Sequence, residues 1–218
     1  RCFWWVSKQK TQLAFRNSEI FKRMDYKKGW SGYYTPSEHL KSVVNKWGAK
    51  SKNIKVIYNG TNLISKENKA NNKKYVNLIT VGRLAPFKNI DKIILSLNQL
   101  RLTNSNLYKL IIVGDGPEKS NLKKLVGEND LTDFVTFTGQ LNKDELNKHY
   151  RESDIYIQAS GYEGLPHTLL EAISHNLSIV STPIGGTNEI LEDNTNGWTI
   201  DLIKGCLLYT SPSPRDDP

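Results

Sequence analysis

From Tyr75 onward the chain alternates short apolar runs with amphipathic stretches, without a break, for more than half its length. Residues 76–81, 109–113, 134–137, 155–158 and 178–181 are rich in Val, Ile and Phe and too short for buried helices, so they read as strands. Between them, 90–102, 118–126, 143–151 and 166–175 carry apolar residues at helical spacing. Strands that alternate with helices and are apolar throughout, rather than at every second residue, are buried on both faces. The pattern therefore predicts an α/β fold, a Rossmann-like doubly wound, mostly parallel sheet covered by helices on both sides. In such a sheet ligands bind beyond the carboxyl ends of the strands, so the loops that follow strands are where chemistry is expected.

The loop after 155–158 carries the densest set of candidate groups. It runs Ser160-Gly161-Tyr162-Glu163-Gly164-Leu165-Pro166 and opens a helix at Pro166, where a missing N–H costs nothing and φ is already helical. The amides of His167, Thr168 and Leu169 then point out of the helix end, and with the helix dipole they form a nest for an anion such as phosphate. Glu163 and Glu171 flank that nest, with seven residues between them, and a carboxylate accepts hydrogen bonds from two vicinal hydroxyls at once. Phosphate together with diols describes a sugar nucleotide. The competing reading comes from the helical wheel: Leu165, Leu169, Ala172 and Ile173 form an apolar stripe, and Glu171 falls roughly opposite, as a solvated surface residue would.

After 76–81, Gly82-Arg83-Leu84-Ala85-Pro86-Phe87-Lys88 places two cations at one strand end. A planar guanidinium and a point-charge ammonium there suit a diphosphate, although two surface cations on a basic protein would look the same. Gly114-Asp115-Gly116 after the next strand permits close approach of a ligand, or simply a tight turn. Its glycines do not follow the dinucleotide fingerprint, and no acid follows at the expected distance, which argues against an NAD-dependent enzyme. Two further loops complete the set, Gly139-Gln140-Leu141 and Pro183-Ile184-Gly185-Gly186-Thr187-Asn188-Glu189.

Taken together, the Glu163…Glu171 spacing and the Gly82-Arg83…Lys88 pattern resemble the E-x7-E and G-R-x4-K motifs of the retaining glycosyltransferases of family 4, with similarity over roughly 33–205. The resemblance implies a GT-B fold of two facing Rossmann-like domains, of which this chain would hold the C-terminal, donor-binding one. It implies catalytic roles for Glu163, Arg83 and Lys88, the first orienting the donor sugar and the other two stabilising the departing diphosphate. It also implies that Glu171 holds the ribose, and that Gly82, Gly114, Gly139 and Leu141 line the donor, the last two by backbone contact with the base. Gly164, Leu165, Pro166, His167, Thr168 and Leu169 would cradle the phosphate. A hexosyltransferase of this kind takes a nucleoside diphosphate sugar as donor and a glycan or lipid-linked hydroxyl as acceptor, in cell-surface glycan synthesis. It needs neither metal nor other cofactor, because cations and a helix end take the role of magnesium. A non-catalytic nucleotide-binding module and a GT-B phosphorylase or epimerase remain as alternatives.

The flanks follow from composition. Residues 1–60 read as the remnant of a preceding acceptor-side domain: a helix over 12–24, a strand at 33–35, a helix from Pro36 capped by Thr35 and stopped at Gly48, and a strand over 54–58. The Asn/Lys-rich stretch 61–74 reads as a linker. The nucleotide-sugar domain would occupy 75–205. Residues 206–218 turn abruptly to Ser and Pro and resemble a translated sequencing adapter, or else a disordered tail. With 30 basic against 22 acidic side chains the chain carries +8, which suits a lysine-rich surface or peripheral contact with an anionic membrane. Aromatics interleaved with that charge in a nucleic-acid motif are missing, so no nucleic-acid partner is expected. No apolar run approaches ~20 residues, so no span is expected. The start lacks Met, as an internal fragment would, and two cysteines make no disulfide framework, pointing to a cytoplasmic setting at or near the inner membrane face.

Overall fold

The computed structural model describes residues 33–62, 74–103 and 108–201. The helix expected over 12–24 and the tail 206–218 lie outside them, as does most of the 61–74 stretch. Two compact units divide between Tyr58 and Asn59.

The first unit contains β1 (Tyr33–Thr35), α1 (Glu38–Lys46) and β2 (Ile54–Val56), the two strands pairing in parallel with Tyr33 opposite Ile54. Ser37, not Thr35, caps α1: the Leu40 amide donates to Ser37 Oγ at 3.1 Å. Thr35 is still strand, and its own hydroxyl donates to the Ser37 carbonyl (3.1 Å), so it is spent bracing the turn.

The second unit is a six-stranded sheet of β3 (Val76–Val81), β4 (Tyr108–Val113), β5 (Val135–Gly139), β6 (Ile155–Gln158), β7 (Ser178–Ser181) and β8 (Trp198–Thr199). The order is β5-β4-β3-β6-β7-β8 and every neighbouring pair is parallel. Four helices connect the strands: α2 (Ile90–Thr103), α3 (Lys119–Glu128), α4 (Lys143–Glu152) and α5 (His167–Ser174). Successive strand residues point to opposite faces, and here each face has its own core. Leu78 joins Ile93, Ile94, Leu97, Leu110 and Ile112 on one side. Its neighbour Ile79 joins Tyr150, Tyr156, Leu169 and Ile179 on the other. That double burial is why apolar residues occupy consecutive positions in the central strands. β8 has no counterpart among the expected strands: only two residues pair, and the Ile200 amide extends the contact to the Ser181 carbonyl at 3.0 Å, a tertiary event with no local signal.

Helix α4 owes its start to a capping box, in which Asn142 Oδ1 accepts from the Glu145 amide (3.0 Å) and Glu145 Oε2 from the Asn142 amide (2.9 Å). Asn142→Ala is expected to cost about 1 kcal/mol, read from urea denaturation. None of the described helices is long and apolar enough to cross a membrane.

Candidate functional site

From β3 the chain builds outward through β4 to β5 at one edge of the sheet, and from β6 through β7 to β8 at the other, so the connections diverge between β3 and β6. At such a divergence α/β sheets bind ligands, in a crevice beyond the carboxyl ends of the strands. The loops on its two sides are tied together: the Gly161 amide donates to the Phe87 carbonyl (2.7 Å), and Asn89 Nδ2 to the Ala159 carbonyl (2.8 Å). Asn89 adopts φ 48°, the left-handed turn that ends the 3-10 segment Pro86–Lys88 and returns the chain into α2.

This geometry brings Lys88 against Glu163. Lys88 Nζ lies 2.6 Å from Glu163 Oε1, with the two side chains only 18% and 11% exposed. The ammonium also runs beside Gly82, where a Cβ would sit 3.6 Å from Lys88 Cε. Gly82 opens a cleft of about 480 Å³ lined by Arg83, Gly114, Asp115, Gly116 and Gln140, the loops after β3, β4 and β5. Arg83 is exposed at its rim. Backbone bonds hold the walls: Gly82 to Val113 (3.0 Å), Gly114 to Gly139 (2.8 Å), Leu84 to Asp115 (3.0 Å) and Glu118 to Leu84 (3.0 Å), amide to carbonyl in each case.

Three wall residues, Asp115, Gly116 and Gln140, lie in loops that the sequence offers as candidates but carry no role in the family resemblance. Asp115 stays charged: the Lys119 ammonium (2.6 Å) and then the Gly116 amide (2.8 Å) hold its carboxyl below the usual carboxylate range. The Leu141 side chain packs against the second core, which leaves its backbone facing the loop, and Gln140 beside it lines the cleft. Position directly after a strand is the signal available for all three.

Helix α5 begins at His167, one residue later than expected, because Pro166 keeps an extended ψ of 109° as the capping residue. Leu170 makes the first intrahelical bond, to the Pro166 carbonyl (3.4 Å), so the amides of His167, Thr168 and Leu169 lie ahead of the ladder. Glu171 is not the solvated residue of the helical wheel. Its side chain is 22% exposed, with Oε1 3.3 Å from His167 Nδ1 and Oε2 3.4 Å from the Tyr150 hydroxyl. Ile173, placed in the apolar stripe, is the residue turned outward. Tyr150 of α4 packs with Leu169 and Ala172 and donates to the Thr168 carbonyl (3.2 Å), so α5 is covered on that side, away from Ile173. Behind the helix end, the buried Tyr156 hydroxyl meets Thr168 Oγ1 at 2.8 Å. Burial, with Glu163 and Glu171 both near, pushes the Tyr156 phenol well above its usual range. Among the described residues no three His, Cys, Asp or Glu side chains gather as metal ligands would.

Residues 61–202 match the family model of the glycosyl transferases group 1. The chain belongs to that family. Among its glycosyltransferase relatives is an uncharacterized glycosyltransferase of Methanocaldococcus jannaschii, 32% identical over 187 residues, which are 82% of this chain and 46% of that protein. The GDP-mannose-dependent alpha-(1-6)-phosphatidylinositol monomannoside mannosyltransferase of Mycobacterium tuberculosis is 30% identical over 131 residues, 57% of this chain and 34% of that one. The solved structure of Anabaena HepE in complex with UDP and glucose superposes with a TM-score of 0.68 at 21% identity, covering 78% of this chain and 49% of HepE. The fold is thus the Rossmann-like half of a GT-B glycosyltransferase. This glycosyl transferases group 1 chain spans about half the length of the curated relatives it matches.

Proposed function

We propose that the crevice binds a nucleoside diphosphate sugar, and that the chain is the donor-binding part of a retaining, family 4 type hexosyltransferase. The observation that carries this reading is the meeting of Lys88 and Glu163 at the divergence point, beside Gly82 and shortly ahead of the α5 amides. A diphosphate seated there would have Lys88 and Arg83 on one side and the helix end on the other. Negative charge grows on the departing diphosphate as the glycosidic bond breaks, and fixed cations and dipoles aimed at it supply electrostatic catalysis with little reorganisation. Glu163 orients the sugar and Glu171 the ribose. No metal is called on for these steps. The acceptor is a glycan or lipid-linked hydroxyl brought by the domain that 1–60 belongs to, with 61–74 as linker, and the lysine-rich surface suits the cytoplasmic face of an anionic membrane. Relatives that name UDP and GDP leave the base to experiment.

Calorimetric titration of the chain with UDP, GDP and ADP is expected to show one of them binding at a single site. Glu171→Gln, which keeps the size of the side chain but removes its charge, should weaken that binding roughly tenfold to a hundredfold. Silence with all three nucleotides, or an unchanged affinity in the variant, contradicts the proposal.

A further inference from the structure

Resting on that donor-binding reading, we propose that Tyr150 is a positioning residue whose phenol, reaching from α4 to α5, fixes the Glu171 carboxylate in the orientation that receives the ribose hydroxyls.

Helix α4, Lys-Asp-Glu-Leu-Asn-Lys-His-Tyr-Arg-Glu, is polar apart from Leu146 and Tyr150, and Tyr150 is its one fully buried side chain. A core position with no exposure favours Phe, since a hydroxyl there must find a partner to offset its lost hydration. This hydroxyl has two acceptors, the Thr168 carbonyl at 3.2 Å and Glu171 Oε2 at 3.4 Å, and one proton to share between them. Both lie on the first two turns of α5, so a single group ties the helix start and its carboxylate to the neighbouring helix. The ring is packed between neighbours: His175 lies 5.0 Å away, centroid to centroid, at 32°, and Tyr156 6.5 Å away at 50°. Burial, then the nearby Tyr156 and Glu171, pushes the phenol far above its usual range, so it remains a donor.

His167 Nδ1 lies 3.3 Å from the opposite oxygen, Oε1. The hydrogen bond that holds Glu171 from within the protein is the one from Tyr150 to Oε2, and both oxygens keep lone pairs for ligand hydroxyls. An untethered glutamate would have its rotamers to lose on binding, and a carboxylate already held loses little. The role thus concerns one part of the ligand only, the vicinal diol.

The test is a cycle between the phenol and the ligand's hydroxyls. The nucleoside diphosphate that binds the chain most tightly and its 2′,3′-dideoxy analogue are titrated into the wild type and Tyr150→Phe. Expected is a roughly fivefold loss for the parent nucleotide in the variant and no change for the dideoxy analogue. Equal losses for both ligands would make Tyr150 a packing residue, and no loss for either would remove it from binding; each overturns the proposal. If the dideoxy analogue binds the wild type as tightly as its parent, the ribose role of Glu171 itself fails, an outcome seen without the variant and so distinguishable from failure of the Tyr150 role alone. Should Tyr150→Phe not fold, the wild type still answers. Its Tyr150 hydroxyl proton, followed by NMR, should shift when the parent binds and stay in place with the dideoxy analogue, and identical behaviour with the two overturns the proposal.

Discussion

Lys88→Ala is expected to weaken nucleoside diphosphate binding by at least roughly a hundredfold and to lower the stability of the chain by about 2 kcal/mol. The two effects have different origins. The loss of binding comes from removing a cation that stands beside Gly82, one of the residues lining the cleft. The loss of stability comes from Glu163, whose side chain is 11% exposed and would be left charged without its partner at 2.6 Å. Breaking a fully buried pair costs about 3–5 kcal/mol, and the residual water contact of both groups lowers that figure here. Combining Lys88→Met with Glu163→Gln replaces the pair by neutral groups of similar size. It should restore most of the stability in urea denaturation while leaving diphosphate affinity as low as in the single variant. An affinity in Lys88→Ala equal to that of the wild type would remove Lys88 from the site.

The second large effect concerns backbone proximity. Gly114→Ala is expected to destabilise the second unit by about 4 kcal/mol or more, enough to prevent a stable fold in a protein of ordinary stability. Gly114 has φ 131°, and a Cβ placed there would strike the carbonyl of Gly82 on the adjoining strand end. A backbone oxygen cannot rotate aside as a side chain can. That oxygen belongs to a strand end pinned at the Gly82 amide by Val113, while the Gly114 amide is committed to Gly139. Gly186 is bounded in the same way by the Gly164 carbonyl, next to the proposed sugar ligand Glu163. Gly127, inside α3, has nothing within 4 Å of its Cβ position. Gly127→Ala should therefore be neutral or stabilising by about 0.5–1 kcal/mol. Thermal melting of the two variants side by side checks both signs.

Strands β3, β6 and β7 match the expected runs at both ends, because each has apolar residues packed into the cores on both faces of the sheet. Motifs and loops are legible for the same reason: once strands are placed, the residues just after them are known. What is not legible depends on pairs distant in sequence. Nothing local says that Lys88 reaches Glu163, 75 positions away, or that Tyr150 approaches Glu171 and turns a surface residue into a held one. The wheel for α5 misplaces Ile173 and Glu171 because it assumes burial from one side, whereas α4 covers a second side. That the core claims the Leu141 side chain while Gln140 lines the cleft is set by tertiary packing in the same way.

In the proposed complex one ligand spans the divergence point, its diphosphate between Lys88, Arg83 and the first amides of α5 and its ribose at Glu171. A crystal structure of the chain with its preferred nucleoside diphosphate tests this directly. Phosphate oxygens are expected within hydrogen-bonding distance of Lys88 and the α5 amides, with both ribose hydroxyls on the Glu171 carboxylate. A nucleotide seated elsewhere on the sheet, with Lys88 and Glu163 still paired and Glu171 untouched, would contradict it.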